Sequence, residues 1–264
     1  MRTAPTAMLT LALLALVTAC GGDTHARAGA ASTTHTRGGA HTRSSPLTEG
    51  EAVAFARLVA LHPADLPGFS ESRERQHPET AAQKRAGEAL RACIGAPAQK
   101  HTHEHAEQGS PKFSREGGLS VESISSSVEV APSAAAATLE LEVVRSAHTR
   151  ACVSHFLTSI IGQLKAPGAS IGRVTLHAFN PSAPGTTGGF GWRVGATISA
   201  HGLNLPLRFD LLGFAYRSAV VMLFDVGFPR LAQAQEQRLF ALLVARARSF
   251  PHEAPVPAAA AQPV

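Results

Sequence analysis

Phe190 to Val226 reads FGWRVGATISAHGLNLPLRFDLLGFAYRSAVVMLFDV. Its first eleven residues alternate: Phe190, Trp192, Val194, Ala196, Ile198 and Ala200 share one parity, and Gly191, Arg193, Gly195, Thr197 and Ser199 the other. Apolar residues at every second position mark a strand with one buried face. His201-Gly202-Leu203-Asn204 supplies a hairpin turn, and Leu205, Leu207, Phe209 and Leu211 begin the return strand. The apolar parity then flips to Leu212, Phe214 and Tyr216, which predicts a β-bulge near Leu211-Leu212. After a turn at Arg217-Ser218, Ala219 to Val226 is apolar on both parities except at Asp225. A strand of that kind belongs in the middle of a sheet.

Upstream, Ile171 to Phe179 reads as a further strand. Before it, Cys152, Phe156, Leu157, Ile160, Ile161 and Leu164 form one helical stripe, stopped at Pro167-Gly168. Pro132-Ser133 opens a helix from Ala134 to about Ser146, and a break near His148-Thr149 divides the two. Leu119 to Ala131 is a strand, with Ile124, Val128 and Val130 on one parity, whereas residues 98–118 hold no periodic pattern. A helix spans about Glu79 to Ala92. Thr48 and Glu51 form a capping box ahead of Val53, Phe55, Leu58, Val59 and Leu61. Pro229 precedes a last helix, about Leu231 to Phe250, with Leu239, Phe240, Leu242 and Leu243 inward. The sum is an α+β domain: a mostly antiparallel sheet of about five strands with helices packed on one side.

The ends of the chain read differently. Arg2 followed by the apolar run Ala7 to Val17 has the length of a signal-peptide core and is too short to span a bilayer. Val17-Thr18-Ala19-Cys20 resembles the lipobox of bacterial lipoprotein precursors at all four positions. That resemblance implies removal of residues 1–19, a diacylglyceryl thioether on Cys20 and acylation of its new amine. Two or three acyl chains anchor stably where one is marginal. An ordinary secretory signal is the alternative. Residues 21–46 are rich in Ala, Thr, Gly and Ser and read, with Cys20, as a lipidated flexible tether; residues 251–264 read as a disordered tail. One domain, residues 47–250, is left.

The formal net charge is +5 with no basic run, and aromatics make up 5%. That pattern argues against a nucleic-acid partner. With Cys20 lipidated, only Cys93 and Cys152 remain of three cysteines. An even pair in an exported protein reads as a disulfide, with two separate buried thiols as the alternative.

His62-Pro63-Ala64-Asp65-Leu66-Pro67-Gly68-Phe69 resembles the ADLPG opening of actinobacterial extracellular sensor-type domains. These occur on PknH-type Ser/Thr kinases and as free lipoproteins of the LpqN kind. Cys93-Ile94-Gly95, Ser110-Pro111-Lys112-Phe113, Ser126-Ser127-Val128-Glu129-Val130 and Cys152 at a helix opening extend the likeness over roughly residues 50–250. It implies an antiparallel sheet backed by helices, akin to the Mog1/PsbP-like fold, and a cleft for a ligand. The chain departs in having two domain cysteines where the kinase domains carry two bridges. It also has no kinase domain, so the resemblance implies signalling through a partner.

Few residues point to chemistry. His101, His103 and His105 project one way in an extended segment and could hold zinc or copper weakly, though a solvated His-rich loop has the same composition. Gly168-Ala169-Ser170-Ile171-Gly172 matches G-x-S-x-G, but in helix-then-strand order, the reverse of a nucleophile elbow. No catalytic set emerges. Arg193, Arg208, Asp210 and Trp192 are the residues for ligand contact. The plainer readings are a cross-strand ion pair for Arg208 and Asp210 and core packing for Trp192. The expected function is a membrane-anchored, extracytoplasmic, non-enzymatic domain that binds a ligand or partner, on the outer face of the cytoplasmic membrane. The alternatives are a lipid or glycolipid carrier and a metal-dependent or serine hydrolase.

Overall fold

The computed structural model describes residues 47–72, 81–95, 107–117, 120–163, 169–200, 203–228 and 233–251. In chain order they form α1 (Glu49–Val59), a one-turn 3-10 helix (Pro63–Asp65), β1 (Ser70–Glu71), α2 (Ala81–Ile94), β2 (Glu107–Gly109), β3 (Phe113–Gly117) and β4 (Ser120–Val130). Then come α3 (Ala134–Arg145), α4 (Ala147–Gln163), β5 (Ala169–Ile171), β6 (Thr175–Phe179), β7 (Gly188–Ala200), β8 (Leu203–Tyr216), β9 (Ala219–Phe228) and α5 (Gln233–Ser249). The leader, Cys20, the tether, the histidines at 101, 103 and 105, and residues 252–264 lie outside the described residues.

One antiparallel sheet holds all nine strands in the order β1-β3-β4-β9-β8-β7-β5, with β2 also on β4 and β6 also on β7. The count exceeds the expected five for a physical reason. β1, β2 and β3 are short, and β3 buries only Phe113. They are held by ladder bonds to a neighbour, so no apolar alternation announces them. β9 sits between β4 and β8, as its two-sided apolar sequence requires.

The expected bulge at Leu211-Leu212 is absent. β8 stays in unbroken register with β7 from Gly188↔Ala215 to Ala200↔Leu203, and with β9 from Arg208 to Tyr216. The parity flip has another cause: Phe209 and Leu211 enter one core, and Leu212, Phe214 and Tyr216 enter a second core on the opposite face. The bulge lies on the outer strand instead. Ile171 pairs with Ile198 and Thr175 with Gly195, so three residues, 172–174, face two, 196–197. One extra residue there splits the expected Ile171–Phe179 strand into β5 and β6.

The two cores also overturn helices on one side. α1 and α5 cover one face, where Phe55, Val59, Leu239, Phe240 and Leu243 meet Ile124, Phe214 and Leu223. α3 and α4 cover the other, where Leu141, Val153, Phe156 and Leu157 meet Trp192, Phe209 and Phe224. Strands apolar on both sides need a cover on both sides. α1 begins with the expected capping box: the Thr48 amide donates to Glu51 Oε2 (2.8 Å) and the Glu51 amide to Thr48 Oγ1 (3.4 Å). Its inward stripe is Ala52, Phe55, Ala56 and Val59; Leu58, expected inward, is exposed.

Asp65 docks the turn-rich corner onto α5. Arg246 donates from Nη2 to Oδ1 (2.7 Å) and from Nη1 to Oδ2 (2.8 Å), and the His62 amide donates to Oδ2 (2.8 Å). Burial would raise the Asp65 pKa, but the Arg246 and His62 bonds outweigh it and hold the carboxyl below its usual range. Its stabilising effect is therefore complete above the ordinary carboxylate value, about 4. It is lost as pH falls through the lower folded value. Asp65→Asn should cost about 1.5–3 kcal/mol at neutral pH, the range for hydrogen bonds to charged groups. Urea unfolding of both proteins should show that gap closing below about pH 4; a gap that widens in acid rejects the assignment.

Candidate ligand pocket

β6 and β7 run together so that Ala178 faces Trp192 and Phe179 faces Gly191. Alternation sends Ala178, Phe190 and Trp192 toward α3 and α4, and Phe179 toward α1 and α5. The Phe190 and Trp192 rings meet edge to face, centroids 6.1 Å apart. Gly191 admits the Phe179 ring: a Cβ there would fall 2.5 Å from it.

α3 supplies a cation to this edge. Ser133 Oγ caps its start by accepting the Ala136 amide at 3.1 Å. Ala137 and Leu141 form its buried stripe. Arg145 comes four residues after Leu141, so the next position of that stripe is charged. Its Nε donates to the Gly189 carbonyl at 3.0 Å, and its Nη2 donates to the same oxygen. Gly188 makes room with φ +145°; a Cβ there would sit 2.5 Å from Nη2. Two of the five guanidinium N–H groups are spent and three remain.

One extended residue, Ser146 (φ −63°, ψ 149°), separates α3 from α4. Its Oγ accepts the Thr149 amide at 3.0 Å, which caps α4. The break thus precedes the expected His148-Thr149, because a side-chain cap at Ser146 lets those residues join the helix. Arg150 follows in the first turn. The result is a cavity of about 410 Å³ lined by Arg145, Arg150, Ala178, Phe179, Asn180, Phe190, Gly191 and Trp192. Arg145, Arg150 and Asn180 are exposed, while Phe190, Gly191 and Trp192 are buried. Its size falls in the small-molecule range, and its mix of an apolar floor with a few polar groups is typical of ligand sites.

The disulfide expected between Cys93 and Cys152 is present, Cα atoms 5.8 Å apart. It ties α2 to α4, two residues beyond Arg150. His148 Nε2 lies 2.7 Å from the Cys93 carbonyl and 3.7 Å from Cys152 Sγ. Two thiolates and this imidazole could hold a metal, but the disulfide takes both sulfurs.

A second polar cluster lies under α5. Asp210 and Asp225 face each other across β8 and β9, and carboxylate oxygens of both and of Glu236 lie within 4.8 Å of one another. All three are buried. Arg193, opposite Asp210 on β7, donates Nε to Asp210 Oδ1 and Oδ2 (3.0 and 2.9 Å) and Nη2 to Glu236 Oε1 and Oε2 (3.2 and 3.3 Å). Its guanidinium carbon also lies 5.1 Å from the Phe179 ring centroid. Carboxylates in this number could ligate a hard cation, but a guanidinium supplies the positive charge here.

Of the four residues read from sequence for ligand contact, Trp192 lines the cavity. Arg193 and Asp210 spend their charges on each other and on Glu236. Arg208 is exposed elsewhere on the sheet, in register between Gly195 and Gly227. Ser170 of the G-x-S-x-G match lies on β5 opposite Ser199, with no following helix to make an elbow. Arg145, Arg150 and Asn180 escaped the sequence reading. An arginine that continues an apolar stripe at the helix end was the available signal for Arg145. Nothing local marks Arg150 or Asn180.

No family model matches the sequence, and no curated protein matches it either. Three solved chains resemble the fold. One is the extracellular domain of PknH from Mycobacterium tuberculosis, with 11% identity over 78% of this chain and 98% of that one, at a TM-score of 0.43.

Proposed function

We propose that this chain is an extracytoplasmic, membrane-anchored lipoprotein whose domain binds a small ligand without transforming it, in the manner of a sensor. The observation that carries the binding part is the open cavity between β6–β7 and the α3–α4 junction. Its eight lining residues offer guanidinium, amide and aromatic groups, which hold and orient ligands. Among the described residues, none of the lining brings a carboxylate, imidazole, thiol or hydroxyl, the groups that move protons or attack carbonyls. The Cys93–Cys152 disulfide supports an oxidising compartment, and the Val17-Thr18-Ala19-Cys20 motif supports the anchor. A helix junction is also a reasonable place for a sensor site, because a ligand bridging α3 and α4 could bias their relative position.

Native mass spectrometry of the full chain extracted from the cell envelope tests this. A retained small molecule that an Arg150→Glu variant loses supports the reading. A chain that stays empty in small-molecule extracts overturns it, as does turnover of the bound molecule abolished by one pocket substitution.

A further inference from the structure

Resting on that reading, we infer that the pocket takes an organic anion: a carboxylate or phosphate head joined to an apolar body the size of a ring or short chain. Charge and shape both select it. Among the described residues, the two ionisable groups of the lining are guanidinium groups, and both lie at the exposed rim. Arg145 is held in place by its bonds to the Gly189 carbonyl, with three N–H groups to spare, so little freedom is lost when an anion meets it. Arg150 comes from another helix, α4. Planar guanidinium groups suit carboxylate and phosphate oxygens, which accept two N–H bonds at once.

Below the rim the surface changes character. Phe190 and Trp192 are 2% and 5% exposed and meet edge to face, presenting a largely apolar floor whose polar group is the Trp192 indole N–H. A bare inorganic anion would leave that floor wet. A neutral apolar molecule would leave the two rim guanidinium groups to water and gain nothing from their charge. An anion with an apolar body satisfies both halves of the cavity.

Trp192, the chain's one tryptophan, lines the cavity and so reports occupancy through its own fluorescence. The full chain is titrated with octanoate, octyl phosphate, octanol, octylammonium and inorganic phosphate. Both octyl anions should bind at least about tenfold tighter than octanol or octylammonium, the scale of a charged hydrogen bond. Arg150→Gln should weaken the octyl anions by a similar factor and leave octanol unchanged, and Arg150→Lys should recover part of the loss. Arg150 is exposed, so an unchanged melting temperature certifies these variants as folded. The stronger of octanoate and octyl phosphate then assigns the head group. If octanol or octylammonium matches the octyl anions, the anion class is wrong while the pocket stands. If inorganic phosphate equals octyl phosphate, the apolar body is wrong. If no probe alters Trp192 emission, both the class and the pocket fall.

Discussion

A double Cys93→Ala, Cys152→Ala variant should melt about 8–16 °C below the parent. The bridge closes a loop of 59 residues, and confining that loop in the unfolded chain is worth about 4 kcal/mol by the chain-entropy estimate. For a domain of this size each kcal/mol moves the midpoint by about 2–4 °C. Alanine suits the test because Cys152 sits in the α3–α4 core, where a hydroxyl would add its own burial cost. The loss should also be local before it is global. α2 contributes Leu90 to that core and packs on α4, the same helix to which the bridge ties it. Hydrogen exchange should show the Ala81–Ile94 amides opening first. A midpoint shift under about 2 °C in calorimetry would reject a stabilising role. The disulfide also lies two residues from Arg150, so loosening α4 should broaden any Trp192 response to octanoate.

Arg193→Met should cost about 3–5 kcal/mol in urea unfolding at neutral pH, the range for breaking a buried ion pair from one side. Asp210, Asp225 and Glu236 are 1%, 4% and 2% exposed, and their oxygens crowd within 4.8 Å. Removing the guanidinium leaves like charges facing each other in a site that water reaches poorly. In an Asp210→Asn background the same substitution should cost markedly less, because the best partner of Arg193 is already neutral. The result also decides between two roles for Arg193. A variant within about 1 kcal/mol of the parent that no longer binds octanoate makes Arg193 a ligand contact. A destabilised variant makes it a structural cation. Phe179 joins the two regions, since it lines the pocket and lies beside the Arg193 guanidinium.

The hairpin from Phe190 to Tyr216 was legible because each residue's side was set by its own neighbours in sequence, through a period of two. The central place of β9, the capping box at Thr48 and the pairing of two cysteines were legible for similar local reasons. The failures share a cause. The flip at Leu211-Leu212 looks the same on paper whether a bulge turns the strand over or a second layer covers its other face. Only the position of α1 and α5 against β8 separates the two. β2 and β3 carry no amphipathic signal because β4 supplies their hydrogen bonds.

The same division runs through the site. The sequence alone established an α+β chain with a long antiparallel hairpin and one cysteine pair, since alternation, turn chemistry and residue counting act over short range. It could also pick out Trp192, because a lone tryptophan on an alternating strand is visible without coordinates. It could not bring Arg145 and Arg150 to that tryptophan. Those arginines are separated from it by more than forty positions and from each other by an extended Ser146, and the register of β6 on β7 sets where the cavity opens. Contacts of that kind depend on how layers stack, and stacking is a property of the folded chain. Folding alone covers both sheet faces, pairs Arg193 with the buried carboxylates of Asp210 and Glu236, and sets Arg145 and Arg150 over an aromatic floor.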